Sequence, residues 1–288
     1  MSYQMIMSAP YQVTDAAFRL WGSRITAAME AVGFTKTADT GQINWTTVLA
    51  PTGSAEIMGY EIRQFTDGLQ ATNPVIVKLE YGSSATSNQR PGIRITVGSA
   101  SDGAGALTGN VSSYFYIAST GGSTTEYPSY ISSDGGRINI ALWVTSSSNS
   151  NAFWIERFKD TDGTPNANGV NICSAFSTNS RTTASTAQTL PAAAVAYPAS
   201  PIRFQCAITS IGATYNENIG LFPVYPNQGY AGNPDLGGLV FNSAEMSAAG
   251  TFMTISIYGS SHVFVVVESL NTSVNAVTSA CNLLVRCE

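Results

Sequence analysis

The sequence predicts a mainly β protein: sandwich-like antiparallel sheets, with one N-terminal amphipathic helix packed on a sheet. Three observations lead there. Short runs of strand character recur along the chain, separated by turns rich in Gly, Pro, Asn and Asp. Only one stretch, TDAAFRLWGSRITAAMEAVG, carries a convincing helical period. Charged residues make up 11% of the chain against roughly 25% in an average globular protein. Hydrophobic residues stand at an ordinary 44%, so Ser, Thr, Asn, Gly and Gln fill the gap. Disorder would need low hydrophobicity with high net charge, so the composition reads as folded.

The helix comes first. Phe18, Trp21, Ile25, Met29 and Val32 recur at steps of three and four and share one face, while Arg19, Ser23 and Glu30 fall on the other. Thr14 is placed as N-cap, Asp15 in the first turn, and Gly33 just beyond the C-terminus. A lone helix cannot bury an aromatic stripe by itself, so it must lie on a sheet. FTKTADTGQINWTTV, IMGYEIRQF and NPVIVKLEYG read as the strands of that sheet. Asp39-Thr40-Gly41 is a turn within the first of them, and Trp45 is set to cover the stripe near Trp21. This module, with Phe18, Trp21, Ile25, Trp45, Tyr60 and Phe65 as its expected core, is the predicted docking platform.

Beyond it the chain reads as almost wholly β. IRITVGSA is a strand, SDGAGALTGN a Gly-rich loop, SYFYIAST a strand, and TGGSTTEYPSYISSDGGRINIALWV a turn followed by a strand ending at Trp143. Phe153 to Phe158 and Val170 to Phe176 form a hairpin around DTDGTPNANG. Thr178 to Ser200 is a long loop or a boundary, and PIRFQCAITSIG resumes strand character. Leu221 to Gly238, with Pro223, Pro226 and Pro234 among aromatics, suits an irregular or edge segment. TFMTISIYGSSHVFVVVESL is a hairpin turning at Gly259, Ser260 and Ser261, and NAVTSACNLLVRCE is the last strand. The expected organisation is a helix-plus-sandwich platform over 1–180, then a second β region over 181–288 that packs separately or continues the first.

Composition also bounds function. A net charge of −5 argues against a nucleic-acid partner, which calls for a basic patch. Lys36, Lys78 and Lys159 are the only lysines. No apolar run reaches the roughly 18 residues of a membrane span. MSYQMIMSAP lacks the basic and apolar regions of a signal peptide, so synthesis in a cytosol is expected. Cys173, Cys206, Cys281 and Cys287 show no metal-ligand spacing, and buried thiols are the expectation. A neutral surface costs less to desolvate than a charged one and suits permanent contact between subunits. A secreted β protein would share that trait.

Candidate chemistry is sparse. His262 is the only histidine; it falls at a hairpin turn, and no GxSxG elbow accompanies it. One histidine without paired cysteines cannot complete a zinc site. Asp160-Thr161-Asp162-Gly163-Thr164-Pro165-Asn166 is similar to a calcium loop but lacks its central glycine position and distal glutamate; a hairpin turn explains the same residues. Glu56, Glu61, Glu80, Asp134, Glu156 and Asp160 are available as a glycosidase pair, yet pairing of Glu61 and Glu80 with Arg63 or Lys78 is the simpler account. SDGAGALTG is followed by no Lys-Ser/Thr and is no phosphate loop. Tyr114, Phe115, Tyr116, Tyr127 and Tyr130 are either a sugar-stacking platform or alternating core and rim positions. No catalytic, cofactor or metal residue is assigned.

WGSRITAAMEAVGFTKTADTGQINWTTV followed by GYEIRQFTDGLQATNPVIVKLEYG resembles a module of virion structural proteins of tailed bacteriophages. Trp21, Gly22, Asp39, Thr40, Gly41, Gln42, Trp45, Gly59, Tyr60, Glu61, Phe65, Asp67, Lys78, Glu80, Tyr81 and Gly82 carry the likeness. FWIERFKDTDGTPNANGV resembles a hairpin of the same proteins, so the likeness runs from Thr14 to about Val170. It implies a non-enzymatic component of the tail, baseplate or neck, made in the host cytoplasm and resident in the virion. Its partners would be copies of itself and other virion proteins. A capsid decoration protein, or a receptor-binding module for a host-surface glycan, is the alternative.

Overall fold

A computed structural model describes residues 2–8, 14–84, 90–112, 114–118, 126–144, 151–159, 165–176, 186–190, 221–223, 239–242, 250–257, 260–274 and 277–287. The architecture is mainly antiparallel β with one N-terminal helix, arranged as sandwich-like sheets. In chain order the elements are β1 (Ser2–Ser8), α1 (Asp15–Ala31), β2 (Thr35–Lys36), β3 (Ile57–Gln64), β4 (Ile76–Ser83), β5 (Pro91–Ser101), β6 (Leu107–Val111) and β7 (Phe115–Ala118). There follow β8 (Tyr127–Ser133), β9 (Arg137–Leu142), β10 (Asn151–Lys159), β11 (Pro165–Phe176) and β12 (Thr186–Leu190). The last are β13 (Leu221–Pro223), β14 (Leu239–Asn242), β15 (Phe252–Ile257), β16 (Ser260–Val274) and β17 (Val277–Arg286).

The helix forms where its period and caps place it. Thr14 is extended, and its hydroxyl accepts from the Ala17 amide at 3.3 Å. At the other end the Gly33 amide donates to Glu30 O and the Phe34 amide to Met29 O, with Gly33 at φ +81°. That pair of bonds is a Schellman closure, and the buried Met29 and Phe34 supply its apolar contact.

Among the described residues three sheets follow from the pairing. One runs β1-β8-β9-β10-β11-β12; a second runs β2-β3-β4-β5-β6 with β7 also on β5; the third runs β13-β14-β17-β16-β15. Alternation sorts each strand into two faces. Val77, Leu79 and Tyr81 of β4, Ile93, Ile95 and Val97 of β5, Ile138 and Ile140 of β9, and Phe153 and Ile155 of β10 all turn into one core with the helix stripe. The other face of the first sheet meets the C-terminal sheet. There Ser132 Oγ and Asn139 Nδ2 both donate to the Arg286 carbonyl, at 2.7 and 3.2 Å, and Tyr130 meets Phe252 edge to face. β12 lies past residue 180 yet extends the first sheet through β11.

Several details differ from the sequence reading. FTKTADTGQINWTTV holds only the two-residue β2; the Thr37 amide still donates to Ile62 O at 2.9 Å, and the chain then leaves the ladder. The reason is Gln42: its side-chain oxygen accepts the Ile62 amide at 2.9 Å, while its Nε2 donates to Thr37 O and Asp39 O. A side-chain amide takes the place of a strand, and a loop results. SDGAGALTGN is a turn held by Asp102, whose carboxylate accepts the Ala104 and Ala106 amides, and then strand β6. TGGSTTEYPSYISSDGGRINIALWV contributes two strands, β8 and β9, rather than one. MSYQMIMSAP, read only for targeting, supplies β1. His262 sits within β16 opposite Ile255, not at the turn, with Nδ1 2.7 Å from Arg286 Nη2. The Asp160–Thr164 part of the calcium-like loop, PIRFQCAITSIG, Cys206 and most of Thr178–Ser200 and Leu221–Gly238 lie outside the described residues.

Candidate functional site

The densest chemistry lies under the helix, around Glu61. β3 turns Glu61 and Arg63 toward α1, on the same face as Leu79 and Val77 of β4. Both charged side chains are fully buried. Glu61 Oε1 accepts from Thr26 Oγ1 at 2.7 Å, Trp45 Nε1 at 3.0 Å and Lys36 Nζ at 2.8 Å. Its Oε2 accepts from Arg63 Nε at 3.0 Å and Nη2 at 2.8 Å, and from the Tyr81 hydroxyl at 3.0 Å. Arg63 in turn donates to Glu30 Oε1 and to the Phe34 carbonyl. Burial alone would push the Glu61 carboxyl up. The Arg63 guanidinium, with hydrogen bonds from Lys36, Thr26 and Trp45, overrides this and holds it at about 2, below the ordinary 4.5. Burial, reinforced by the Glu61 charge, drives the Tyr81 hydroxyl well above its ordinary value, so it stays a donor.

The predicted platform residues mostly converge here, in a core rather than on a surface. Phe18, Trp21 and Ile25 are fully buried, and Phe65 nearly so. Trp21 stacks on Trp143 at 6.2 Å and meets Trp45 and Tyr81 edge to face. Trp45 reaches the cluster because Asp15 and Arg19 of the helix hold its loop: Asp15 accepts the Ala50 amide and Arg19 Nε donates to Val48 O. Gly22 leaves room for the ring, since a Cβ there would lie 1.9 Å from Trp45 Cη2. Tyr60 does not belong with these. It points to the opposite face of β3, where its hydroxyl donates to Thr40 O and Ala104 O and its ring receives Lys78 Nζ at 4.9 Å. The sequence marks Tyr60 as an alternating strand residue, but not which parity faces the helix.

The described carboxylates proposed for glycan cleavage have other engagements. Glu61 and Glu80 lie on opposite faces of the second sheet; Glu80 pairs with Lys78 and Arg94. Desolvation raises the Glu80 carboxyl, but hydrogen bonding from Arg94 and the Lys78 charge bring it below its ordinary value. Glu156 and Asp134 both pair with Arg137. Glu56 accepts the Thr52 and Gly53 amides. Asp67 takes a two-pronged contact from Arg157, which also donates to the Asn73 carbonyl, tying the first sheet to the loop after β3. Asp67 also lines an open cleft of about 580 Å³, with Phe65, Thr66, Gln70 and Ser99.

The tyrosines do not make one platform. Tyr114 is exposed and lies over Arg94 on the outer face of the second sheet, Tyr127 packs against the core, and Tyr130 is buried beneath Phe252. Among the described residues no group of three or more His, Cys, Asp or Glu side chains could hold a metal ion. No helix among them is long and apolar enough to cross a membrane. Cys287 is buried.

No protein-family model matches the chain, and comparison with curated proteins finds no match.

The feature that faces outward is the edge of the first sheet. β1 pairs with β8 on one side and with no described strand on the other. Its register sets Met7 opposite Pro128, whose carbonyl points away to accept the Val144 amide. Ser2, Gln4 and Ile6 therefore bond to β8, while the amides and carbonyls of Tyr3, Met5 and Met7 point to the open edge. Arg24 confirms the direction by donating to the Met7 carbonyl at 2.9 Å. The side chains of the same three residues are exposed, by 37, 51 and 38%, on the face away from the helix. Phe252, 43% exposed, meets the Tyr3 ring at 6.1 Å and prolongs this apolar strip.

Proposed function

We propose that the chain is a non-enzymatic structural component of a tailed-phage particle, placed in the tail, baseplate or neck, where it joins copies of itself and neighbouring subunits. The observation that carries this reading is that several of its few charges are buried in matched pairs. Arg63, Glu61, Arg137, Glu156 and Arg157 are all buried to within 4% and matched to one another or to Glu30, Asp134 and Asp67. A chain already poor in ionised groups thus leaves its outer surface more neutral still. Neutral surface is cheap to desolvate over the roughly 1,000 Å² or more that a stable interface covers. The exposed apolar edge of β1 adds a place where covering is favourable. The likeness of the Thr14–Val170 segment to virion structural proteins supplies the setting.

The test is location. Gold-labelled antibody against the chain, or a reconstruction of intact particles, should place it at the tail, baseplate or neck. Label on the head would make it a capsid decoration protein. Purified particles that lack the chain altogether would remove the reading.

A further inference from the structure

We propose that β1 is a self-pairing edge: two copies of the chain join by antiparallel addition of one β1 to the other, making a two-fold dimer with one sheet running through both. The inference rests on the assembly reading above and names the surface and the partner it uses.

The backbone sets the kind of partner. Tyr3 and Met5 each turn an amide and a carbonyl outward, and groups in that geometry are complemented by another extended strand. Of the other edges, β12 and β15 are also uncharged but shorter, with five and six residues, and three are blunted. β2 has two residues and carries Lys36; β6 joins β5 through a register shift and contains Gly109 at φ +75°; β13 has three residues and ends in Pro223. β1 has seven residues, SYQMIMS, with no charge, no proline, no glycine and no register shift against β8. Within the strand itself none of the usual protections of a free edge is present.

The same sequence selects a second copy. A two-fold pairing sets a strand against itself, so any charge on it would meet its own like; β1 has none. Arg24 fixes the register. It occupies the Met7 carbonyl and pairs with Glu126, so the ladder is open at Tyr3 and Met5 but closed at Met7. A two-fold centred on Gln4 uses only the open part. Tyr3 of one copy then lies opposite Met5 of the other, twice over, and each such pair exchanges both of its N–H···O bonds. On one face the tyrosine ring meets a methionine thioether, a favourable contact. On the other, the two Gln4 amides face each other across the axis.

The full-length chain tests this by sedimentation equilibrium. The parent should have twice the 30.3 kDa chain mass. Tyr3→Glu and Met5→Lys, both at exposed positions, should each give the single-chain mass with an unchanged circular dichroism spectrum. The double variant Tyr3→Glu/Met5→Lys sets opposite charges across both pairs of this register and should restore the dimer. Gln4→Cys should give a disulfide-linked dimer under mild oxidation that the parent does not form. A monomeric parent overturns the inference, as does a parent dimer indifferent to Met5→Lys or a double variant no better than the singles. The assembly reading is judged separately: a chain found in particles but monomeric alone keeps assembly and loses β1 pairing, whereas a β1 dimer absent from particles does the reverse.

Discussion

Replacing Glu61 by Gln keeps the side-chain volume and removes the one negative charge at the centre of the buried cluster. Five side chains donate to that carboxylate: Thr26, Lys36, Trp45, Arg63 and Tyr81. An amide turns an NH₂ toward one set of donors whichever way it is oriented. Arg63, fully buried, would retain only Glu30 and backbone carbonyls. Breaking a buried ion pair from one side costs about 3–5 kcal/mol, a third or more of the stability of a typical domain. The pH dependence gives a second route to the number. A carboxyl lowered from 4.5 to about 2 contributes stability that is fully present above pH 4.5 and is lost as pH falls toward 2. By linkage that amounts to about 3 kcal/mol. Urea titrations followed by tryptophan fluorescence should therefore show Glu61→Gln less stable by this amount at pH 7, with the gap to the parent closing toward pH 2. In a double-mutant cycle with Arg63→Met the two losses should be strongly non-additive. A Glu61→Gln protein within about 0.5 kcal/mol of the parent at pH 7, or additive losses, would refute the assignment of this carboxylate as the organising charge.

Three further outcomes follow from the same packing. Trp21→Ala should cost about 3–5 kcal/mol in urea, because a fully buried ring touching Phe18, Trp45, Tyr81 and Trp143 leaves a cavity behind. Gly22→Ala should cost about 1–3 kcal/mol by overpacking, and should recover in combination with Trp45→Leu, since its Cβ would fall inside the Trp45 ring. Arg157→Met should destabilise by about 1–3 kcal/mol by removing the partner of the half-buried Asp67; hydrogen exchange should quicken over residues 67–75, whose Asn73 carbonyl and Gln70 side chain the guanidinium also holds.

The helix was legible because its signals are local. Period, N-cap and C-terminal glycine lie within one stretch, and each does in the fold what the spacing implies. The β class was legible for the same reason, as were the hairpins β10–β11 and β15–β16. What the sequence withholds is parity and partnership. Tyr60 and Glu61 are neighbours on one strand, and only the three-dimensional pairing decides that Glu61 faces the helix while Tyr60 faces away. TADTGQINW looks extended because its polar and apolar residues alternate; Gln42 turns it into a loop by bonding Ile62 through its side chain, a competition that alternation cannot register. β1 was missed because its pairing partner, β8, lies more than a hundred residues away.

The inward charges and the neutral exterior are two aspects of one arrangement. A buried ion pair is no more stabilising than a well-packed apolar pair of the same size, so stability alone does not account for Arg63, Arg137 and Arg157 all lying within 3% of full burial. What such pairs do impose is geometry: Glu61 and Arg63 are satisfied only when Thr26, Glu30, Lys36 and Trp45 arrive together, which fixes the helix on its sheet in one register. Arg157 fixes the first sheet against the loop after β3 in the same way. The helix, its sheet and the loop after β3 are thus held in one geometry by internal pairs. The outer faces are then free to carry few ionised groups, and the net −5 of the chain stays with them. That combination suits a subunit whose shape is set before it meets its neighbours and whose surface does not resist being covered.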